Sequence, residues 1–194
     1  QADITFQKDK ESVKFRINSI DRYVDEVEEQ YFETVLRASS HKAVLSLVYY
    51  INSSDPPQYL SNFDAAFYEV IMNGSINGIA VDSITGRKIM DNNTLSNWTV
   101  KITNTAKDAY NVNTSIKIKN ASASQSKPWA IDVFLNFDLD VQSEVAGWKK
   151  EDITIKTSID IEGFNDPYYI VNTGRQYSPA IKKSGIEFNK WNIT

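Results

Sequence analysis

From Ser12 onward the apolar residues Val13, Ile17, Ile20, Val24, Val27 and Tyr31 recur at alternating steps of four and three. That period, near 3.5, is the narrow stripe of one helix edge. Asp21, Asp25, Glu26, Glu28, Glu29 and Glu33 fill the positions between, and no Pro or Gly interrupts the run before Pro56. The pattern predicts a helix over 12–52, about 60 Å long at about 1.5 Å per residue. After Arg37 the apolar set Ala43, Val44, Leu45, Leu47, Val48, Tyr49, Tyr50 and Ile51 covers most of the circumference. The C-terminal half is therefore expected to be buried and the N-terminal half held along one edge only. Two arrangements fit: a stalk helix whose far end is the spine of a globular head, or a helix packed along its whole length. In the first, Ile17, Ile20, Val24, Val27 and Tyr31 form a candidate interaction seam.

Pro56 and Pro57 break the helix, because proline lacks a donor and restrains the residue before it. A second helix is predicted over 58–72, with Leu60, Phe63, Phe67, Val70 and Ile71 on one face, stopped by the turn chemistry of Asn73-Gly74 and Asn77-Gly78. Residues 79–91 read as an irregular, hairpin-like segment around Thr85-Gly86. A third helix starts at an Asn93/Thr94 cap and runs to Tyr110, with Leu95, Trp98, Ile102 and Ala106 as its inner stripe.

Past Tyr110 the period becomes two. Val112, Ile116 and Ile118 share a face. Ile131, Val133, Leu135, Phe137, Leu139 and Val141 then point inward against Asp132, Asn136, Asp138, Asp140 and Gln142 outward. The alternation resumes with Ile153, Ile155, Thr157, Ile159 and Ile161. One apolar and one polar face predicts an antiparallel sheet covered by helices on one side. The expected fold is α+β, a long N-terminal helix and further helices packed on one face of a β-meander. It forms a single domain over 1–194: the long helix at 12–52 with a stalk-like N-terminal half, a helical part at 53–110, the sheet at 111–175, and a basic tail at 176–194. A Tyr-rich segment between Asp166-Pro167 and Ser178-Pro179 has the composition to add a strand.

Composition then narrows the chemistry. The 194 residues carry 21 Lys+Arg against 25 Asp+Glu, a formal charge of -4, so no overall basic field suggests nucleic acid. Zero cysteines exclude disulfides, thiolate metal sites and thiol catalysis, and the lone His41 rules out a histidine-cluster metal site. Ser39, Ser40 and His41 adjoin in sequence, but one helix does not place such neighbours in a nucleophile–base geometry. Asp138, Asp140, Gln142 and Glu144 share a strand face, without the glycine-bearing turn that converges ligands on Ca²⁺. Asp91-Asn92-Asn93-Thr94 reads as a helix cap. No catalytic residue, cofactor or metal is expected. The late basic residues Arg175, Lys182, Lys183 and Lys190 are read as docking on the acidic first helix, ahead of a lipid or single-strand contact. Seven N-x-[ST] sites occur, at Asn52, Asn73, Asn92, Asn97, Asn113, Asn120 and Asn192, against roughly 3 expected by chance. They are candidate glycosylation sites and favour an exported surface.

The segments in order carry a resemblance: Ser39-Ser40-His41-Lys42-Ala43-Val44-Leu45-Ser46-Leu47, Phe63-Asp64-Ala65-Ala66-Phe67, Met72-Asn73-Gly74-Ser75-Ile76-Asn77-Gly78, and Ile89-Met90-Asp91-Asn92-Asn93-Thr94-Leu95 with Trp98. Lys127-Pro128-Trp129, Val145-Ala146-Gly147-Trp148, Ile159-Asp160-Ile161-Glu162-Gly163-Phe164 and Asp166-Pro167-Tyr168-Tyr169-Ile170-Val171-Asn172-Thr173-Gly174 complete it. This set resembles a family of archaeal envelope proteins, pilin-like in layout, with one N-terminal membrane-spanning helix and an extracytoplasmic head. The resemblance spans nearly all of 12–180. It implies a cell-envelope location, membrane anchoring through a helix ahead of Gln1, and protein partners or self-assembly at the cell surface. It brings no catalytic residues. The expectation is a non-enzymatic extracellular interaction or structural domain, such as a component of a pilus-like or surface-layer assembly. The alternative is a ligand-binding ectodomain of a membrane-anchored sensor or transport-associated protein. A cavity above about 300 Å³ lined by Trp or Tyr with converging polar groups favours the second; an exposed apolar stripe along 13–31 favours the first.

Overall fold

The computed structural model describes residues 2–53, 62–81, 86–166, 169, 173 and 180–183. The first helix is continuous over 2–53: α1 (Ala2–Gln30), a π-helical stretch (Tyr31–Leu36) and α2 (Arg37–Ser53). It begins ten residues ahead of the predicted start. The π stretch has a cause in the apolar pattern. Up to Tyr31 the inward positions follow the 3.5-residue seam, but the next layer is Val35 and Leu36, then Ser39, Ser40, Ala43, Val44 and Leu47, all buried. A five-residue step such as Tyr31 to Leu36 overshoots an α-helical turn of about 3.6 residues. The wider i→i+5 turn brings both side chains onto the sheet side.

α3 (Phe63–Asn73) starts at Asn62, whose side chain accepts from the Ala65 amide at 3.2 Å, and ends at Gly74 in the left-handed region, φ 70°. A Cβ at Gly74 would also sit 3.1 Å from the Thr94 methyl. The predicted start of this helix at 58–61 lies outside the described residues. Isolated bridges Ile76↔Ile79 and Val81↔Lys88 make the hairpin-like link. α4 (Leu95–Tyr110) is capped by Thr94, which accepts from the Asn97 amide at 3.1 Å. Leu95, Ile102 and Ala106 are buried and Trp98 packs partly against the core.

β1 (Asn113–Lys127), β2 (Ala130–Gln142) and β3 (Gly147–Asp160) form an antiparallel sheet in the order β1-β2-β3. The fold is thus α+β, a helical layer on one face of an antiparallel meander. The helices contact the two outer strands, α3 and α4 on β1, α2 and the π stretch on β3. The six inward residues of β2, Ile131 to Val141, are each at most 1% exposed. Tyr31 stacks on Phe137 with ring centroids 5.1 Å apart. The opposite face is open except at one place, Asp132, which is 4% exposed.

Two bulges interrupt the middle of the ladders, and a further register shift, between Ser124 and Lys127, sits beside the β1–β2 turn. In β1, Lys119 is extra between the pairs Ile118↔Phe137 and Asn120↔Asn136. In β3, Glu151 and Asp152 together oppose Asp138, and Asp152 sits at φ 56°. The second bulge inverts the alternation before it, because Trp148 and Lys150 pair with inward Val141 and Leu139. Both therefore face the helices. The Lys119 ammonium joins the bulges, 2.9 Å from the Asp138 carboxylate and 2.5 Å from that of Asp152. Strands of 15, 13 and 14 residues are long against the usual five or six. Bulges and lysines on the outer two blunt edges of that length.

Two expectations are corrected. The stalk is shorter than the N-terminal half of the helix: residues 12–16 are exposed, Ile17 is half-buried, and burial starts at Ile20. β3 ends at Asp160, and most of the predicted sheet region beyond Asp166 lies outside the described residues. Beyond β3 comes the isolated bridge Asn165↔Ala180. Lys183 binds Asp160 at 2.5 Å and Glu162 at 3.5 Å instead of the first helix. Most of the Tyr-rich segment and the tail after Lys183 lies outside the described residues.

Candidate functional site

The seam residues Ile20, Val24, Val27 and Tyr31 are 4%, 3%, 1% and 0% exposed, covered by the chain itself. As an interaction seam they are thereby corrected: the sheet supplies the neighbour that the narrow stripe requires. Tyr31 donates or accepts at 2.7 Å with the Thr99 hydroxyl, and burial pushes its phenol up to about 12 despite that bond. Tyr23 meets Thr114 at 3.1 Å and packs on Tyr110 with centroids 5.0 Å apart.

The acidic side of α1 has partners that the sequence reading missed. The Trp148 indole N–H donates to Asp21, and the Lys150 ammonium lies 3.4 Å from Asp25 and 3.3 Å from Glu28. Desolvation works against the Lys150 charge, but the Glu28 and Asp25 carboxylates outweigh it and hold its pKa above the ordinary lysine value. Lys150 was hidden because the bulge at 151–152 reverses its face.

Ahead of this junction the seam opens. Phe15 is 74% exposed and Val13 40%. Phe15 and Arg16 border a cleft of about 320 Å³ whose other walls include Tyr110, Glu144 and Val145. This cleft lies where the first helix leaves the sheet, between the end of α4 and the β2–β3 turn.

A second cleft, of about 300 Å³, lies on the open sheet face beside the β1–β2 turn, lined by Trp129, Asp132, Lys127, Lys156 and the hydroxyls of Ser126 and Ser158. Both serines donate to the Asp132 carboxylate, and the Lys156 ammonium is 3.3 Å from it. Burial alone would raise the Asp132 carboxyl. The bonds from Ser126, Ser158 and Lys156 more than offset that and hold it below the ordinary carboxylate range. The alternation of β2 marked Asp132 as solvated. The only sequence signal for its burial is the serine at positions 126 and 158 in the flanking strands.

The remaining candidates separate. His41 is exposed on α2, Ser39 donates to the Asn93 carbonyl at 2.7 Å, and Ser40 is fully buried. They converge on no common point. Asp138 is held by Lys119 and by the Asp152 amide at 2.9 Å, while Asp140 accepts from Gln142 at 2.6 Å. No group of three or more His, Cys, Asp or Glu among the described residues is placed to hold a metal ion. No described helix is long and apolar enough to cross a membrane. Asn73, Asn92, Asn97, Asn113 and Asn120 are all exposed; the side chains of Asn52 and Asn192 lie outside the described residues. Compared with known proteins, the chain matches no family model, no curated protein and no solved structure.

Proposed function

We propose that this chain is a non-enzymatic interaction or structural domain of the cell surface, a component of a pilus-like assembly whose first helix is the connecting element. One observation carries the reading. The helical backbone runs on to Ala2, none of residues 12–19 is buried, and Phe15 and Val13 stand exposed on that stretch. A helix of about 15 residues is marginal in water without tertiary support, so an extension of that length is better explained by a neighbour that covers it. The layout of a long helix buried at one end against an antiparallel sheet is also what the pilin-like resemblance implies. Export is supported by the enriched and exposed sequons. Membrane anchoring ahead of Gln1 and glycan attachment belong to the same proposal.

The ligand-binding ectodomain is the second reading, favoured by the cleft around Trp129 and Asp132. Its volume of about 300 Å³ sits at the threshold for a binding module, its lining joins Trp129 to polar groups, and the stripe over 20–31 is closed.

Because the chain has no cysteine, Phe15→Cys introduces a single thiol. Thiol crosslinking in intact cells of the native host is expected to shift Phe15→Cys protein into larger adducts, whereas Thr154→Cys on the open sheet face stays at the mass of one chain. Both variants remaining at that mass would overturn the assembly reading. Phe15→Asp should leave the melting temperature unchanged, since exposed substitutions fall within about 0.5 kcal/mol.

A further inference from the structure

We propose that the Asp132 cleft binds an acidic sugar, with one hexuronic acid ring as the unit recognised. This stands independently of the assembly reading, since it concerns the opposite face of the sheet from the helices.

The starting point is a buried charge where the fold asks for none. Cross-strand bonding elsewhere on this face is done by exposed or half-buried groups, such as Asn136 to Thr154 at 3.0 Å and Asp138 to Lys119 at 2.9 Å. Asp132 alone is 4% exposed. Burying a carboxylate is costly unless hydrogen bonds replace its water, and here two serines and a lysine do so. The arrangement fixes the polarity of the cleft. An ionised carboxylate accepts only, so Ser126 and Ser158 must each give it their proton. Each serine oxygen then meets an incoming group as an acceptor, which suits the hydroxyl donors of a sugar.

The cations sort in the same way. Lys156 is committed to Asp132, and Lys183 to Asp160 and Glu162. Lys127 lines the cleft and has no ion pair among the described residues. It is the group placed to meet a ligand carboxylate through a charge-assisted hydrogen bond. Half-buried Trp129 offers an aromatic wall for the apolar face of a ring. The volume of about 300 Å³ is at the small end of ligand sites and suits one ring. A neutral sugar would use the serine acceptors and Trp129 but leave Lys127 unused. Inorganic phosphate would use Lys127 but be repelled by the acceptor oxygens and by Asp160.

The test is a titration of the ¹⁵N-labelled full chain with sodium D-glucuronate, D-glucose and inorganic phosphate, read by amide shifts and the Trp129 indole signal. Glucuronate should give saturable shifts confined to 126–132 and 156–160, with glucose about tenfold weaker and phosphate without effect there. Lys127→Gln, a change at an exposed position, should bring glucuronate down to the glucose level without moving the melting temperature. Ser158→Ala should weaken both sugars. No saturable response to glucuronate overturns the proposal, as does glucose or phosphate binding equally well, or Lys127→Gln keeping the full preference.

Discussion

Residues 12–18 and 35–47 belong to one unbroken helix, yet they meet different surroundings. In the second stretch Val35, Leu36, Ala43 and Leu47 are fully buried against the sheet layer, and even Ser39 and Ser40 are enclosed. In the first, Phe15 stands in water and Ile17 is only half covered. Between them, 20–31 is a hybrid, buried along its stripe and wet beside it, where Glu26 and Glu29 remain exposed. The same seam spacing runs through Ile17 and Tyr31, so spacing alone does not decide whether a stripe is covered. What decides is whether the sheet reaches it, and β2 and β3 end at the 143–146 turn beside Ile20.

Hydrogen exchange should show the largest contrast. Amides over 35–47 can exchange only through opening of the core, at a free energy approaching the global stability of about 5–15 kcal/mol. Amides over 12–17 should exchange as a fraying helix end, near zero on that scale. Strong and equal protection in both stretches of the isolated chain would show that the extension needs no partner, and the assembly reading would lose its support.

Tyr31 gives a smaller effect, located at the π stretch. Its phenol is raised to about 12 from 10.0 by burial. Between those values the unfolded chain has lost this proton and the folded one has kept it. Stability therefore holds below pH 10 and falls as pH rises from 10 towards 12. Two pH units correspond to about 2–3 kcal/mol. Denaturant unfolding at pH 8 and pH 11 measures the slope. Tyr31→Phe should be less stable at pH 8, having lost the bond to Thr99, and should lose much of its alkaline sensitivity. An unchanged alkaline slope in Tyr31→Phe would assign the effect elsewhere, Tyr23 being the other raised phenol.

What was legible in the sequence follows from how local the determinants are. The inward face of β2 and the Thr94 cap of α4 were readable, because period two and cap chemistry are properties of adjacent residues. The π stretch was not, since it shows only as a five-residue step between two apolar layers, easily absorbed into a long helix pattern. The bulges at Lys119 and at Glu151-Asp152 were equally hidden, because they depend on pairing between strands. Both candidate surfaces inherit that blindness. The exposure of Phe15 depends on where the sheet ends, and the burial of Asp132 on serines contributed by two neighbouring strands.

The smallest effect belongs to the junction between the two stretches. Lys150 bridges Asp25 and Glu28 with side chains 42%, 72% and 42% exposed, so solvent and salt screen most of the attraction. Lys150→Met keeps the stem that packs beneath the helix and removes only the charge. The expected loss in unfolding free energy is therefore at most about 1 kcal/mol at low salt. It should shrink towards zero near 1 M salt, where the screening length falls to about 3 Å. If burial of Ile20, Val24 and Val27 holds this part of the helix, exchange over 20–27 stays slow in the variant. A loss above about 2 kcal/mol that salt leaves untouched, with exchange over 20–27 rising to match 12–17, would mean the ion pairs set where the helix leaves the sheet. The boundary between the free and the buried helix would then be electrostatic rather than a consequence of where the strands end.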